Sequence, residues 1–344
     1  SAAGNYLQFL RNDSPTLIRP EGNSEEILTN SIGVDGKFPD GWVIQRDFIW
    51  EGQVSAEWHT GANWKSGVVP NAESEVTIPA NVTNIPNISQ TGYAYKTLAI
   101  EEDAKLQISV DSFVNSGTIT NNGTITVEKD FSLSGEIKNN GTLKLKGNAD
   151  FSSGTYTKRE DNTDVIYVIN EQNEATTLTL GTNAKVGILK VEGNVNVALA
   201  GFVSVNSFET INNNTNANAE IQITGNGHFS IPNMNLAKGT YHQIELGTES
   251  SISSLTMQEH SQLYMKSPLK ILKSENNGVS EIVIDNTTLT LGNDIKLSDL
   301  TNNNGFIILD DTNNTPNVQI TNVTNSGTIT VSKGTLAIDN LTIT

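Results

Sequence analysis

Asn121-Asn122-Gly123-Thr124-Ile125-Thr126-Val127 and Asn139-Asn140-Gly141-Thr142-Leu143-Lys144-Leu145 are two versions of one phrase. Asn115-Ser116-Gly117-Thr118-Ile119 precedes them, and Asn325-Ser326-Gly327-Thr328-Ile329-Thr330-Val331 repeats the phrase far downstream. Each copy reads as a turn followed by a short strand. Asn and Gly tolerate the positive φ of tight turns, and the Thr–aliphatic alternation suits a strand with one buried face. Turn-plus-strand units in series predict a β-solenoid, a coil of strands stacked on itself.

The phrase is metrical over residues 113–151. Gly117, Gly123, Gly135, Gly141 and Gly147 fall at multiples of a six-residue step, and so do Ile119, Ile125, Phe131, Ile137, Leu143 and Ala149. One step is a short strand plus a corner. Three steps make one coil, which places Gly123 and Gly141 at equivalent corners of successive coils. After Gly154 the spacing drifts, and longer, less regular coils are expected there.

Strands are predicted at 48–50, 75–78, 96–100 and 105–108 on one side of the metrical stretch. On the other side they are predicted at 165–169, 177–180, 186–191, 195–199, 220–223, 281–284, 288–291, 306–309 and 318–320. Residues 158–163 and 212–219 read as projecting loops. No amphipathic helix of three turns is evident. Residues 1–47 carry Pro15, Pro20 and Pro39 and no repeat; a strand at 6–10 and a helical turn at 25–28 are their only signals. The sequence therefore divides into an N-terminal cap or the tail of a preceding domain (1–47), Trp-rich first coils (48–110) and β-helix repeats (111–344). The expected class is all-β: a single-stranded parallel β-helix, right-handed, with a cap sealing its first coil. The last residues, Leu341-Thr342-Ile343-Thr344, stop in mid-phrase, and more protein is expected beyond them.

Composition agrees. Only 36% of the 344 residues are apolar, which suits a narrow core fed by one or two side chains per strand. The net charge of −17 disfavours nucleic acid and anionic membrane, which are bound through basic patches. There is no cysteine, so disulfides and Cys-based metal sites or nucleophiles are excluded. No run approaches the apolar length of a membrane span.

All four tryptophans, Trp42, Trp50, Trp58 and Trp64, lie before residue 65. The segment Phe48-Ile49-Trp50-Glu51-Gly52, then Trp58, then Ala62-Asn63-Trp64-Lys65-Ser66-Gly67-Val68-Val69-Pro70 and Glu75-Val76-Thr77-Ile78-Pro79 resembles a recurring opening of large secreted and surface proteins of the Bacteroidota. Pro86-Asn87-Ile88 and Leu98-Ala99-Ile100 continue the resemblance, which covers roughly residues 48–110. The Asn-x-Gly-Thr repeats also resemble passenger regions of filamentous adhesins and autotransporters, a likeness generic to β-helices. The resemblance implies an exported, repeat-rich, secreted or cell-surface protein, often adhesive. Its expected partners are surface glycans or other surface proteins. It brings no catalytic residues.

The chemistry visible in the sequence is sparse. β-Helical hydrolases need paired carboxylates, and Asp310-Asp311 stand before what reads as a turn. Gly227-His228-Phe229 is only a partial echo of a polygalacturonase-like signature. The arginines are Arg11, Arg19, Arg46 and Arg159, too few for a lyase-like site; His59, His228, His242 and His260 lack zinc-ligand spacing. The expectation is a non-enzyme, with polysaccharide binding or cleavage as the alternative. Glu101, Glu102 and Asp103, or Asp310 and Asp311, are weak candidates for Ca²⁺ in acidic turns. Trp50, Trp58 and Trp64 read as the core of the cap first and as a sugar-stacking platform second. Thr-x-Thr pairs such as Thr118/Thr120 and Thr328/Thr330 raise ice binding as a minor alternative.

Overall fold

The computed structural model describes residues 15–18, 43–171, 174–212, 219–309 and 315–344. The strand expected at 6–10, the helical turn at 25–28, Trp42 and Asp310-Asp311 lie outside these residues. Pro15–Ile18 and Val43–Arg46 form a two-stranded antiparallel sheet. From Phe48 onward every pairing between named strands is parallel, and the strands stack as a β-solenoid of about 13 turns. The one helical element among the described residues is a single 3₁₀ turn at Gly61–Asn63.

The metrical stretch builds a three-sided coil. Thr118–Asn121, Thr124–Val127 and Asp130–Leu133 are the three sides of one turn, and Glu136–Asn139 begins the next. Thr124 pairs with Thr142, the eighteen-residue register that the glycine spacing predicts. The six residues at the six-residue step, Ile119, Ile125, Phe131, Ile137, Leu143 and Ala149, all point into the core. Each fully buried aliphatic contributes on the order of 1.5–3 kcal/mol, so the column as a whole holds the coils together.

The corner glycines are required for a reason other than the expected one. Gly123 and Gly141 do not have positive φ. They are glycine because successive coils nearly touch there: a Cβ on Gly141 would collide with the Gly123 carbonyl oxygen. That same carbonyl accepts the Thr142 N–H at 2.9 Å.

The Asn of each phrase turns inward, and Asn115, Asn121 and Asn139 are fully buried. The Asn121 Nδ2 donates to Asn139 Oδ1 at 2.7 Å and to the Thr142 carbonyl at 3.1 Å. Asn139 Nδ2 donates in turn to the Tyr156 hydroxyl at 2.9 Å and to the Val165 carbonyl at 3.2 Å. The Tyr156 hydroxyl donates in turn to Asp164 Oδ2 at 2.9 Å, and Asp164 also accepts the Gly187 N–H. A buried polar thread thus runs up one corner where backbone groups would otherwise be unsatisfied. Tyr156 titrates well above its ordinary range because it is buried and lies beside the Asp164 carboxylate.

Beyond Lys158 the geometry changes. The first-side sheet, six strands from Phe48–Ile49 to Thr155–Lys158, ends. First and second sides then fuse into single bent strands, Ala184–Glu192, Phe202–Ile211, His228–Leu236, Ser250–Gln258 and Leu269–Asn277. In His228–Leu236 the inward residues are Phe229 and Ile231, then Met234 and Leu236. Pro232 and Asn233 are both turned outward, and that one-residue slip in the two-residue alternation is the corner. Registers lengthen too: Thr142 pairs with Val165 and Ser207 with Asn233, steps of 23 and 26 residues. In the 23-residue step the extra residues sit at the corner that holds the predicted loop at 158–163; most of the predicted loop at 212–219 lies outside the described residues.

At the first coil Trp50, Trp58 and Trp64 are buried against one another edge to face, with centroids 5.0 Å (Trp50–Trp64) and 4.7 Å (Trp58–Trp64) apart. Trp50 Nε1 donates to the Asn84 carbonyl at 2.7 Å and Trp64 Nε1 to the Trp58 carbonyl at 2.8 Å. Higher up, Tyr93, Phe113, Phe131 and Phe151 stack ring on ring through successive coils. At the other end the inward positions of Thr335–Ile343 are only half-covered or exposed.

Candidate functional site

The sequence candidates do not converge on one place. Trp50, Trp58 and Trp64 present no ring face to solvent, so they are core and not a stacking platform. Glu101, Glu102 and Asp103 form an exposed turn, with Asp103 at φ +61. Among the described residues no three His, Asp or Glu side chains stand close enough to hold a metal ion. The histidines are scattered: His228 packs on the Phe202 ring at 4.9 Å, His242 is buried in the core, and His260 sits in a turn beside Glu259. Thr118/Thr120 face outward, but their neighbours one coil on are Glu136 and Lys138, so no threonine rank extends along that side. Arg159 pairs with Asp161 at 3.1 Å in the 158–163 loop.

Two clefts are shallow. One of about 200 Å³ lies between Phe151, Tyr156 and Leu180; one of about 400 Å³ lies between Asn276, Lys296, Gln319 and Asp339 at the far end. Neither gathers a set of facing carboxylates.

The most chemically structured surface is the outer face of the third side, over the strands Glu220–Gly225, Tyr241–Leu246, Gln262–Met265 and Glu281–Asp285, continued by residues 299–303. Parallel register turns its outward residues into columns along the solenoid axis. Glu220, Tyr241, Gln262, Glu281 and Asp299 form one column, and Gln222, Gln243, Tyr264, Val283 and Thr301 the next. Successive members are about 4.8 Å apart, the spacing of paired strands.

Tyr241 and Tyr264 are diagonal neighbours on adjacent coils, with ring centroids 6.3 Å apart. Tyr264 pairs in register with Val283, yet its hydroxyl donates to Asp285 Oδ2 at 2.7 Å, two residues farther along the next strand. To make that bond the ring leans diagonally over the sheet, half-buried. The bond to Asp285 is the main reason that its phenol is pushed up to about 12. Lys266 Nζ stands 5.9 Å from the same ring centroid, within cation–π range. Tyr241 is raised more modestly, by partial burial and by the charge of Glu220.

Around the rings the polar groups hold one another in place. Gln243 donates to Glu245 at 3.3 Å, Gln262 to Glu281 at 3.3 Å, and Thr301 to Glu281 at 2.9 Å. Lys266 reaches Glu245 at 3.5 Å. The surface carries Glu220, Glu245, Glu281, Asp285 and Asp299 against one Lys266. Each of these acids accepts a bond from a neighbouring side chain, and no two face each other across a groove.

The residues of this face were not among the sequence candidates. Their signal is the alternation Tyr241-x-Gln243-x-Glu245 and Gln262-x-Tyr264-x-Lys266, two outward sets at one coil's separation.

A family model described as "Domain of unknown function (DUF8693)" matches residues 49–159. That segment coincides with the six-stranded first-side sheet and its Trp-rich opening, and covers about a third of the chain. Comparison with curated proteins and with solved structures gives no match.

Proposed function

We propose that this chain is a structural and adhesive segment of an exported bacterial cell-surface protein, and that it acts without catalysis. The observation that carries the reading is the parallel stack of about 13 turns. Such a stack supplies length, stiffness and a long repetitive surface. The resemblance of residues 48–110 to openings of secreted Bacteroidota proteins supports the extracellular placement. The surface charge supports solubility at high local density and weighs against nucleic-acid partners. Surface glycans or other surface proteins are the partners this role calls for.

The non-catalytic part rests on the carboxylates of the third side. Glycoside hydrolysis needs an acid and a base held at fixed separation about the scissile bond. Here each carboxylate is tied to a neighbour on an outer sheet face. The test is to immobilise the chain on beads and score their retention on surfaces coated with chitin, chitosan, cellulose or mucin, while assaying released reducing ends. Retention without release is the expected result. Release of reducing ends that Glu281→Gln abolishes would overturn the non-catalytic reading, and failure to retain beads on any surface would overturn the adhesive one.

A further inference from the structure

We infer that the third-side face over residues 220–303 is a glycan-binding platform selective for amino-sugar chains, with Tyr241 and Tyr264 as its stacking surfaces. The inference rests on the adhesive reading and gives it a site and a ligand class.

Three observations lead there. First, a tyrosine leaning over a sheet with its hydroxyl anchored is already ordered, so stacking a sugar on it costs little further side-chain entropy. Tyr264 is held in this way by Asp285. The apolar C–H face of a pyranose ring is the natural partner of an aromatic face that solvent can reach. Second, the two rings lie 6.3 Å apart on neighbouring coils. That offset lets one chain contact both tyrosines as it crosses the coils obliquely. Gln222, Gln243 and Gln262 stand in the same two columns as the tyrosines, as amide donors and acceptors for ring hydroxyls.

Third, the charge of the face selects among glycans. Glu220, Glu245, Glu281, Asp285 and Asp299 surround the rings, with Lys266 as the single opposing charge. A uronate or sulfated chain would be repelled, since like charges brought together across an interface disfavour binding. A chain of protonated glucosamine units places ammonium groups where these carboxylates can accept from them, while its ring carbons stack on the tyrosines. Four of the five coils carry one or two of these carboxylates, and the coil of Tyr264 carries Lys266 instead, so the complementarity is shared over several sugar units. No bond is made or broken in this recognition.

The test is isothermal titration calorimetry of the full chain with a β-1,4-linked glucosamine hexamer, at a pH where its amines are charged. The fully N-acetylated hexamer and a galacturonate hexamer serve as neutral and anionic probes. The chain's overall negative charge will attract any polycation, so the deciding variant is Tyr241→Ala/Tyr264→Ala, which leaves the charge unchanged. The inference expects the amino hexamer to bind and the galacturonate hexamer not to bind. It also expects the double variant to lose roughly tenfold or more in affinity, the usual consequence of removing an anchoring aromatic. Tyr167→Ala, on the second side, should keep full affinity, and circular dichroism should show all variants folded.

Equal affinity for the acetylated and amino hexamers overturns the inference, as does an unchanged Kd in the double variant. Bead retention on chitosan that is indifferent to the tyrosines would leave the adhesive reading standing and remove this site. Loss of all retention would remove both.

Discussion

His242 makes acid stability a sharp test of how the core is built. It occupies an inward position between Ile221 and Leu263, its register partners on the coils before and after. The ring is fully buried. Its Nδ1 lies 3.2 Å from the Gln262 carbonyl, which can only accept, so Nδ1 carries the proton. Its Nε2 has no partner. Protonation would place a second N–H in an apolar column with no acceptor, and burial accordingly holds the folded-state pKa down at about 4. Taking the unfolded value as about 6.5, the unfolded chain binds more protons throughout the interval between the two. Stability is therefore fully present above about pH 6.5 and falls as pH drops toward 4. At about 1.4 kcal/mol per pKa unit, the loss attributable to this one group approaches 3 kcal/mol.

The assay pairs urea unfolding of the wild type with that of His242→Leu, a residue already used at the neighbouring position, across pH 7.5 to 4. Stability should fall more steeply for the wild type, and the gap between the two should widen by about 3 kcal/mol over that range. Hydrogen exchange in the 241–246 strand localises the effect should the solenoid unfold in segments. Parallel loss of stability in both proteins would refute the reasoning. An imidazole that titrates near 6.5 in the folded state by NMR would refute it as well.

Other expectations follow from the corners and the cap. Asn139→Leu should cost about 2–3 kcal/mol, since it leaves the Asn121 amide and the Val165 carbonyl short of partners inside the core, and calorimetry reads the loss. Gly141→Ala should destabilise by about 1–3 kcal/mol, because the adjoining coil must shift to admit a methyl group; a melting temperature unchanged from wild type would contradict the close approach of Gly123. Trp64→Ala should cost about 3–5 kcal/mol and raise the fluorescence exposure of the remaining first-coil tryptophans to quenchers such as acrylamide.

Where sequence and structure agree, backbone contact is the reason. The Asn-x-Gly-Thr corners are legible because two coils must pass within touching distance at Gly123 and Gly141 and a buried Asn must bridge them. Those demands admit few residue types. The strands at 165–169, 195–199 and 306–309 were legible because their alternation is unbroken. From Phe202 to Asn277 only the strand at 220–223 was anticipated. There the fused strands carry two consecutive outward residues at the bend, as at Pro232-Asn233, and a two-residue period read across that slip dissolves into noise. The tyrosine face was hidden for a related reason. Its columns join residues about twenty positions apart, and only the pairing register brings Tyr241 beside Tyr264.

The unequal coil lengths have a practical meaning. Steps of 18, 23 and 26 residues coexist in one stack, yet the paired strands keep their inward columns, and in the 23-residue step the added residues lie at the corner after Lys158. Corners are thus places where foreign sequence can be spliced in without disturbing the neighbouring turns. A peptide epitope or an enzyme loop grafted at residues 160–162, clear of the buried Asp164, would be displayed on a rod whose other surfaces keep their spacing. Several grafts at chosen turns would be held at separations set by counting strands.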